Sequence, residues 1–466
     1  MSEKRLKTWS PLILIVLCAS VARAQDSVDA PKPAMAGDNT TSLQSGAPTD
    51  IPDARPLAGV QNLSLGSQTS SHSFLLPSFG VTSAVQFNPG NSSVGNSSPT
   101  STTYVSGRLA LNKISSRSEL LVDYLAGGGF SSYSNEGNSV IQSLDFSETI
   151  RGGRWSQTFG EQFSYLPASS FNFGGLGGLS NFGVGLGVVG TTPGFRQDLI
   201  PSQSILTNGA ARISNATMVQ TTYALGYRSS LSFFGTYGQL HFLDNGFQNS
   251  SSISAGAGYN YLLSPLNSMS VSYGFGRFMF ANLPFGADSH SVQLSFARRI
   301  TGRLSFQIGA GPDVQVYSSP LAGPATILSW ALNSGLSYQL RNWQTGFGYA
   351  HSLSGGSGVL AGAETDMFSG HLSRTLGSWQ TGLAAGYSRN RSLQQTSINV
   401  VTPQGWFGGA QVSRQFASFG SLFISYNISR QSGLGTVCAL SACATNQVTQ
   451  TVSVGYNWGF RPIILE

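Results

Sequence analysis

The sequence predicts an all-β protein, a transmembrane antiparallel up-and-down β-barrel of about eighteen strands, with sixteen as the alternative count. Three observations predict it. Apolar and polar residues alternate with period two along most of the chain. Charge is scarce, and short connections alternate with long ones.

The clearest stretch is Gln447 to Phe460, QVTQTVSVGYNWGF. Val448, Gln450, Val452, Val454, Tyr456, Trp458 and Phe460 fall on one parity, and Gln447, Thr449, Thr451, Ser453, Gly455, Asn457 and Gly459 on the other. On a strand the two parities are two faces, one almost wholly apolar and one wholly polar or tiny. Over a soluble core the exposed face would carry Lys, Glu and Asp. Here it is neutral, and the apolar face ends in aromatics. That fits lipid on one side and a water-filled lumen on the other.

The stretch resembles the closing strand of Gram-negative outer-membrane β-barrels, porins among them, which end in an alternating strand with a terminal aromatic. Phe460 takes that place, although Arg461-Pro-Ile-Ile-Leu-Glu466 follows it, whereas many members stop at the aromatic. The resemblance implies integral residence in the bacterial outer membrane, contact with its lipid and insertion by the barrel-assembly machinery.

Composition agrees. Only 9% of the 466 residues are Asp, Glu, Lys or Arg, against ~25% in ordinary soluble domains. No window of ~20 apolar residues follows the N-terminal segment, which excludes a helical membrane protein. At the N-terminus Lys4, Arg5 and Lys7 precede the apolar run Leu12 to Ala19, and Ala22-Arg23-Ala24 supplies a small-x-small site. Residues 1–24 therefore read as a signal peptide cleaved after Ala24. Cys18 is not a lipoprotein cysteine, because Leu17 stands where a small residue is needed. Without residues 1–24 the chain carries 21 basic and 18 acidic side chains, so the pI near 9.3 reflects few charges and no basic patch. Nucleic-acid binding has no support. Cys438 and Cys443 remain in an apparent loop, and export favours a local disulfide between them.

Residues 25–73, rich in Pro, Ser, Thr and Asp, read as a disordered periplasmic tail, or as a plug folded into the lumen. Residues 74–466 form the barrel. Its first strands are expected near 79–88, 103–113, 118–130, 138–150 and 154–166, and the next near 212–228, 231–243, 250–263, 267–280 and 288–299. The remainder fall near 303–317, 326–341, 343–354, 364–376, 378–390, 404–416, 419–430 and 447–460. Tight turns are expected near Ser229-Ser230, Ser264 to Asn267, Thr301-Gly302, Arg341-Asn342, Leu376 to Ser378 and Ala417-Ser418, with longer polar loops between them. Trp343-Gln-Thr-Gly346 and Trp379-Gln-Thr-Gly382 recur 36 residues apart, one hairpin per repeat. Pro312 should mark a bend or the outer end of its strand.

Arg298, Arg374 and Arg414 lie on the apolar parity, each at its last outward position before a tight turn. An outward Arg costs ~2–4 kcal/mol at the bilayer midplane and ~0–1 near the interface. These three, with Trp343, Trp379, Trp458 and Phe460, are expected to anchor the barrel at a membrane surface.

The connection from Pro167 to Thr207 is 41 residues of mostly Gly, Phe and small side chains, with two charges, Arg196 and Asp198. It is expected to fold inward and narrow the pore, resembling the constriction loop of general porins, or to cap the barrel mouth. Arg196, Asp198, Asp145, Arg212 and Asp313 are the pore or constriction candidates, with Asp123 a further inward charge. Gly185-Leu-Gly187-Val-Val-Gly190 within the loop matches GxGxxG but lacks the preceding strand and following helix of a dinucleotide site. Arg389 and Arg391 are placed to contact anionic glycolipid, or to stand solvated.

A barrel of this size leaves an aqueous channel unless something fills it. The expected function is passive diffusion of small hydrophilic solutes, with neither turnover nor cofactor nor metal. The alternatives are a plugged structural or surface-interaction barrel, and a lipid-acyl hydrolase using His371-Leu372-Ser373. Nothing in the sequence sets the oligomeric state.

Overall fold

The computed structural model describes residues 73–87, 99–131, 138–166, 211–243, 248–281, 283, 286–319, 323–354, 362–393, 402, 404–416, 420–432 and 448–465. The strands are β1 (Ser73–Phe87), β2 (Thr100–Ile114), β3 (Ser118–Ser131), β4 (Asn138–Gly152), β5 (Trp155–Leu166) and β6 (Arg212–Ala224). Next come β7 (Ser229–Phe242), β8 (Ser250–Ser264), β9 (Asn267–Phe280), β10 (Gly286–Arg299), β11 (Leu304–Ser319) and β12 (Gly323–Leu340). The last are β13 (Trp343–Ser354), β14 (Ala363–Leu376), β15 (Trp379–Ser392), β16 (Gln404–Phe416), β17 (Gly420–Ser432), β18 (Val448–Gly459) and a short β19 (Ile463–Leu465). Each strand pairs antiparallel with its sequence neighbours, and β1 pairs with β18 from Ser78 opposite Gly459 to Phe87 opposite Gln450. The result is a closed eighteen-stranded barrel, all-β as the period-two pattern predicts.

Burial confirms which residues share a face. Along β18, Thr451, Ser453, Gly455, Asn457 and Gly459 are buried, while Val452, Val454, Tyr456, Trp458 and, just past the strand, Phe460 are exposed. Elsewhere the same inversion holds. Thr82, Ser106, Ser214, Ser270, Ser272 and Asn260 are buried on the inner, concave wall, and Phe79, Tyr124, Val271, Leu294, Phe347 and Ile424 face outward and exposed. Closure leaves no free sheet edge, so backbone N–H and C=O groups along the wall are paired between strands.

Three departures from the expected elements have local causes. β6 ends at Ala224, not 228, because the N–H groups of Leu225 and Gly226 both donate to Ser229 O at 3.0 and 3.2 Å and close the turn there. Tyr227, expected on the outward face, therefore stands in the turn, fully exposed. The first strand begins at Ser73, because Ser73–Leu75 pairs with β19. Between the two pairings two residues of β1 face three of the closing stretch, so β19 continues β18 past a one-residue bulge at Phe460–Pro462.

Pro312 lies within β11, opposite Trp330, and not at the outer end of its strand. The ladder between β10 and β11 is interrupted between Ser291 opposite Asp313 and Leu294 opposite Ala310, the interval that contains Pro312, which has no N–H to give. On the concave side β10 and β12 approach within 8 Å between Cα atoms, and Asn333 Nδ2 donates to Gln293 Oε1 at 3.2 Å across β11. Gly309 permits that approach, since a Cβ there would lie 2.8 Å from Asn333 Oδ1.

The signal peptide 1–24, the tail apart from Ser73, the loop 167–207 with Arg196, Asp198 and the GxGxxG stretch, and Cys438 and Cys443 lie outside the described residues.

Candidate channel lumen

The inner wall is built from the polar parity of every strand. Short hydroxyls and amides bridge neighbouring strands: Ser425 Oγ to Ser453 Oγ at 2.9 Å, Ser164 Oγ to Ser214 Oγ at 2.6 Å, and Asn260 Nδ2 to Ser232 Oγ at 3.3 Å. Such side chains are spent on the wall itself, which keeps them short and flat against it. Larger inward side chains lie over glycines of the next strand. Tyr104 covers Gly129, Phe234 covers Gly256, His371 covers Gly346 and Phe423 covers Gly455. A Cβ on any of these glycines would collide with the ring it seats.

Charge on the inner wall is concentrated on β2–β5. Arg108 grips Asp123 with both Nε, at 2.7 Å to Oδ1, and Nη2. Asp145 stands opposite Asp123, and Gln162 opposite Asp145, on the adjoining strands. Asp145 Oδ1 and Gln162 Oε1 are buried without a hydrogen-bond partner in the structure. Two carboxyl groups and one guanidinium thus leave this patch rich in acceptors. Toward the tight turns Arg151 pairs with Glu119 at 3.1 Å.

Of the described pore candidates, Asp145 belongs to that patch. Arg212 is buried at the long-loop end of β6, opposite Phe242. Asp313 is buried on β11, accepting from Ser289 Oγ at 2.6 Å and Gln315 Nε2 at 3.0 Å. These three occupy separate sectors of the wall and are not brought together. His371 and Ser373 share the inner face, with His371 packed over Gly346. Among the described residues no three His, Cys, Asp or Glu side chains converge as a metal site would require.

At the turn end, Arg374 lies over the Trp343 ring at 4.5 Å and Arg414 over Trp379 at 5.1 Å, each pair directly opposite across neighbouring strands. Arg298 faces outward and exposed, opposite Asn267 beside its turn. Trp458 and Phe460 are exposed on the same outer face.

Two arrangements were not legible as sites in the sequence. Arg108 as the partner of Asp123 needed the register of β2 on β3, although parity alone puts both inward. The second is an outward cluster at the long-loop end. His351 stacks on Trp330 at 4.5 Å between ring centroids, with Nδ1 2.6 Å from Asp366 Oδ1 and Nε2 3.1 Å from Glu364 Oε1. Tyr349 donates to Asp366 at 2.9 Å, Arg391 stands 3.6 Å from Glu364, and Arg389 lies opposite Asp366.

The closed wall has counterparts among solved structures. OccAB3 of Acinetobacter baumannii matches over 84% of this chain and 100% of its own, at 7% identity and a TM-score of 0.42. OccK2 (OpdF) of Pseudomonas aeruginosa, solved in complex with glucuronate, matches over 83% and 98%, at 10% identity and a TM-score of 0.42. OpdQ of the same organism matches over 84% and 98%, at 10% identity and a TM-score of 0.40. Likeness of this degree does not extend to function. No protein-family model matches the chain, and no curated protein matches it.

Proposed function

We propose that this chain is an integral protein of the bacterial outer membrane and a porin-like channel for passive diffusion of small hydrophilic solutes, without catalytic turnover. The observation that carries this reading is the inverted wall of a closed barrel, with exposed apolar side chains outside and polar ones inside, as along Thr451 to Phe460. A closed sheet satisfies every backbone group without water, as hydrocarbon requires. Eighteen strands enclose more space than wall side chains alone fill.

On this reading residues 1–24 direct export, the following tail is periplasmic, and the tight turns lie at the periplasmic surface. Trp343, Trp379, Trp458 and Phe460, with Arg298, Arg374 and Arg414, hold that level. Cys438 and Cys443 clip an outer loop, and the 167–207 loop narrows the passage or caps it. The inner wall of short hydroxyls and amides focuses no strong field of either sign and suits small neutral solutes such as sugars. Purified protein in planar bilayers should give stepwise conductance. Silence there, together with impermeability of protein-loaded liposomes to sugars, would favour a plugged barrel instead.

A further inference from the structure

The outer wall carries, at its long-loop end, a charged network that the channel reading leaves unused. Glu364 and Asp366 on β14 continue the outward parity of Phe368, and Arg389 and Arg391 on β15 that of Tyr387. Ser388, Asn390 and Ser392, on the other parity of β15, are buried in the inner wall. Arg389 stands directly opposite Asp366, and Arg391 opposite Glu364.

The carboxylates are occupied within the wall. His351 places Nδ1 2.6 Å from Asp366 Oδ1 and Nε2 3.1 Å from Glu364 Oε1. Tyr349 donates to Asp366 at 2.9 Å, and Ser329 donates to Glu364. His351 itself is buried, with the Trp330 ring stacked on it. The ladder between β12 and β13 ends at Leu332 opposite His351, so this network ties both strands to β14 where backbone pairing has stopped. The arginines are not so occupied. Arg391 Nη1 stands 3.6 Å from Glu364 Oε2, beyond hydrogen-bond reach, with its side chain 55% exposed, and Arg389 is exposed beside it. Two residues apart on one face, their Cα atoms are separated by ~7 Å, a spacing that lets both guanidiniums close on one phosphate. Just below them, toward the turn end, Phe368 and Trp406 are exposed on the same face, flanking Tyr387 from either side.

We propose that Arg389 and Arg391 form a headgroup site for a phosphorylated glycolipid of the outer leaflet. The guanidiniums take a phosphate, and the exposed rings of Phe368 and Trp406 meet the acyl chains beneath it. The network of His351, Glu364 and Asp366 is the rigid platform on which the arginines stand. A lipid fits better than a free anion because apolar outward positions begin directly below the pair, which puts it at headgroup level. The proposal rests on the outer-membrane reading and names a lipid partner for it.

The test uses the full chain in detergent, with folding of each variant verified by the heat-dependent gel shift of closed barrels. Bisphosphorylated lipid A is the probe, and native mass spectrometry reads its retention. Arg389→Ala and Arg391→Ala should each weaken retention roughly tenfold, the loss of one charge-assisted pair. Arg277→Ala should match wild type, although it removes an outward arginine that is equally exposed, at 55%, beside Asp288. Neither dephosphorylated lipid A nor millimolar inorganic phosphate should displace the probe. Equal weakening in all three variants means diffuse attraction to the rim and overturns the site. Displacement by inorganic phosphate overturns the glycolipid in favour of a free anion, and displacement by the dephosphorylated lipid assigns the affinity to the acyl chains alone. A barrel that inserts into liposomes and conducts, yet retains no lipid A, overturns the site and leaves the outer-membrane reading standing. Failure to insert overturns that reading, and the site with it.

Discussion

Arg374 holds its guanidinium carbon 4.5 Å from the ring centroid of Trp343, the residue directly opposite it across β13 and β14. The same relation recurs one hairpin later between Arg414 and Trp379 at 5.1 Å. Each Trp opens a Trp-Gln-Thr-Gly stretch just after a tight turn. The repeat is therefore a structural unit, with a ring at the foot of one strand and a cation laid over it from the next. A double-mutant cycle of Arg374→Ala and Trp343→Ala, followed by urea unfolding from lipid vesicles, should give a coupling of ~0.5–1 kcal/mol. Strictly additive losses would separate the two.

The outward face should respond to charge by depth. Val454, exposed midway along β18, should lose ~2–4 kcal/mol of folding stability on substitution by Arg. Leu422→Arg, two residues from the start of β17 beside the turn, should cost only ~0–1 kcal/mol. Equal costs at the two depths would mean that no hydrocarbon band surrounds the barrel.

The glycine seats make a contrasting pair. A Cβ at Gly256 would lie 2.6 Å from the Tyr273 carbonyl oxygen and against the Phe234 ring, so Gly256→Ala should cost ~1–3 kcal/mol by overpacking. Its conductance should fall as Phe234 is lifted off the wall. At Gly107 an added Cβ meets nothing within 4 Å, and Gly107→Ala should be neutral or stabilising by ~0.4–1 kcal/mol. Denaturation midpoints of the two variants check both.

On the inner wall, Asp123→Ala leaves the Arg108 guanidinium without the carboxylate it grips, and should destabilise by ~3–5 kcal/mol. Asp145→Asn keeps the shape and removes an ionisable carboxyl from the patch. Reversal potentials in a salt gradient should shift toward anion preference for Asp145→Asn. A shift toward cations would contradict the placement of Asp145 on the lumen face.

Most of the wall was legible in the sequence because a strand exposes its two faces in strict alternation. Val452, Val454 and Tyr456 could be assigned outward and Ser453 and Asn457 inward from spacing alone, and Arg374 and Arg414 could be placed beside their turns. Turn chemistry was less legible. Leu225 and Tyr227 continue the apolar parity of β6, and only the hydrogen bonds to Ser229 O take them out of the sheet. What no periodicity carries is register and curvature. Asp123 and Arg108 meet through the offset of β2 on β3. His351 is drawn between Glu364 and Asp366 by the offset of β13 on β14. Pro312 marked the interrupted ladder between β10 and β11, but nothing in its spacing told that Asn333 would reach Gln293 across β11.

The pairing of Ser78–Phe87 with Gln450–Gly459 joins the two ends of the described chain. Together with the short Ser73–Leu75 ladder to β19 it spans nearly the whole polypeptide, whereas every other ladder joins strands consecutive in the chain. This seam is therefore the step with the greatest loop-closure cost. Before it forms, two bare borders remain open to recruitment by other chains. Assembly should therefore be all-or-none at its last event, with no partial ring able to hold a pore, and a lesion at the seam should delay maturation far more than an equal lesion within any hairpin.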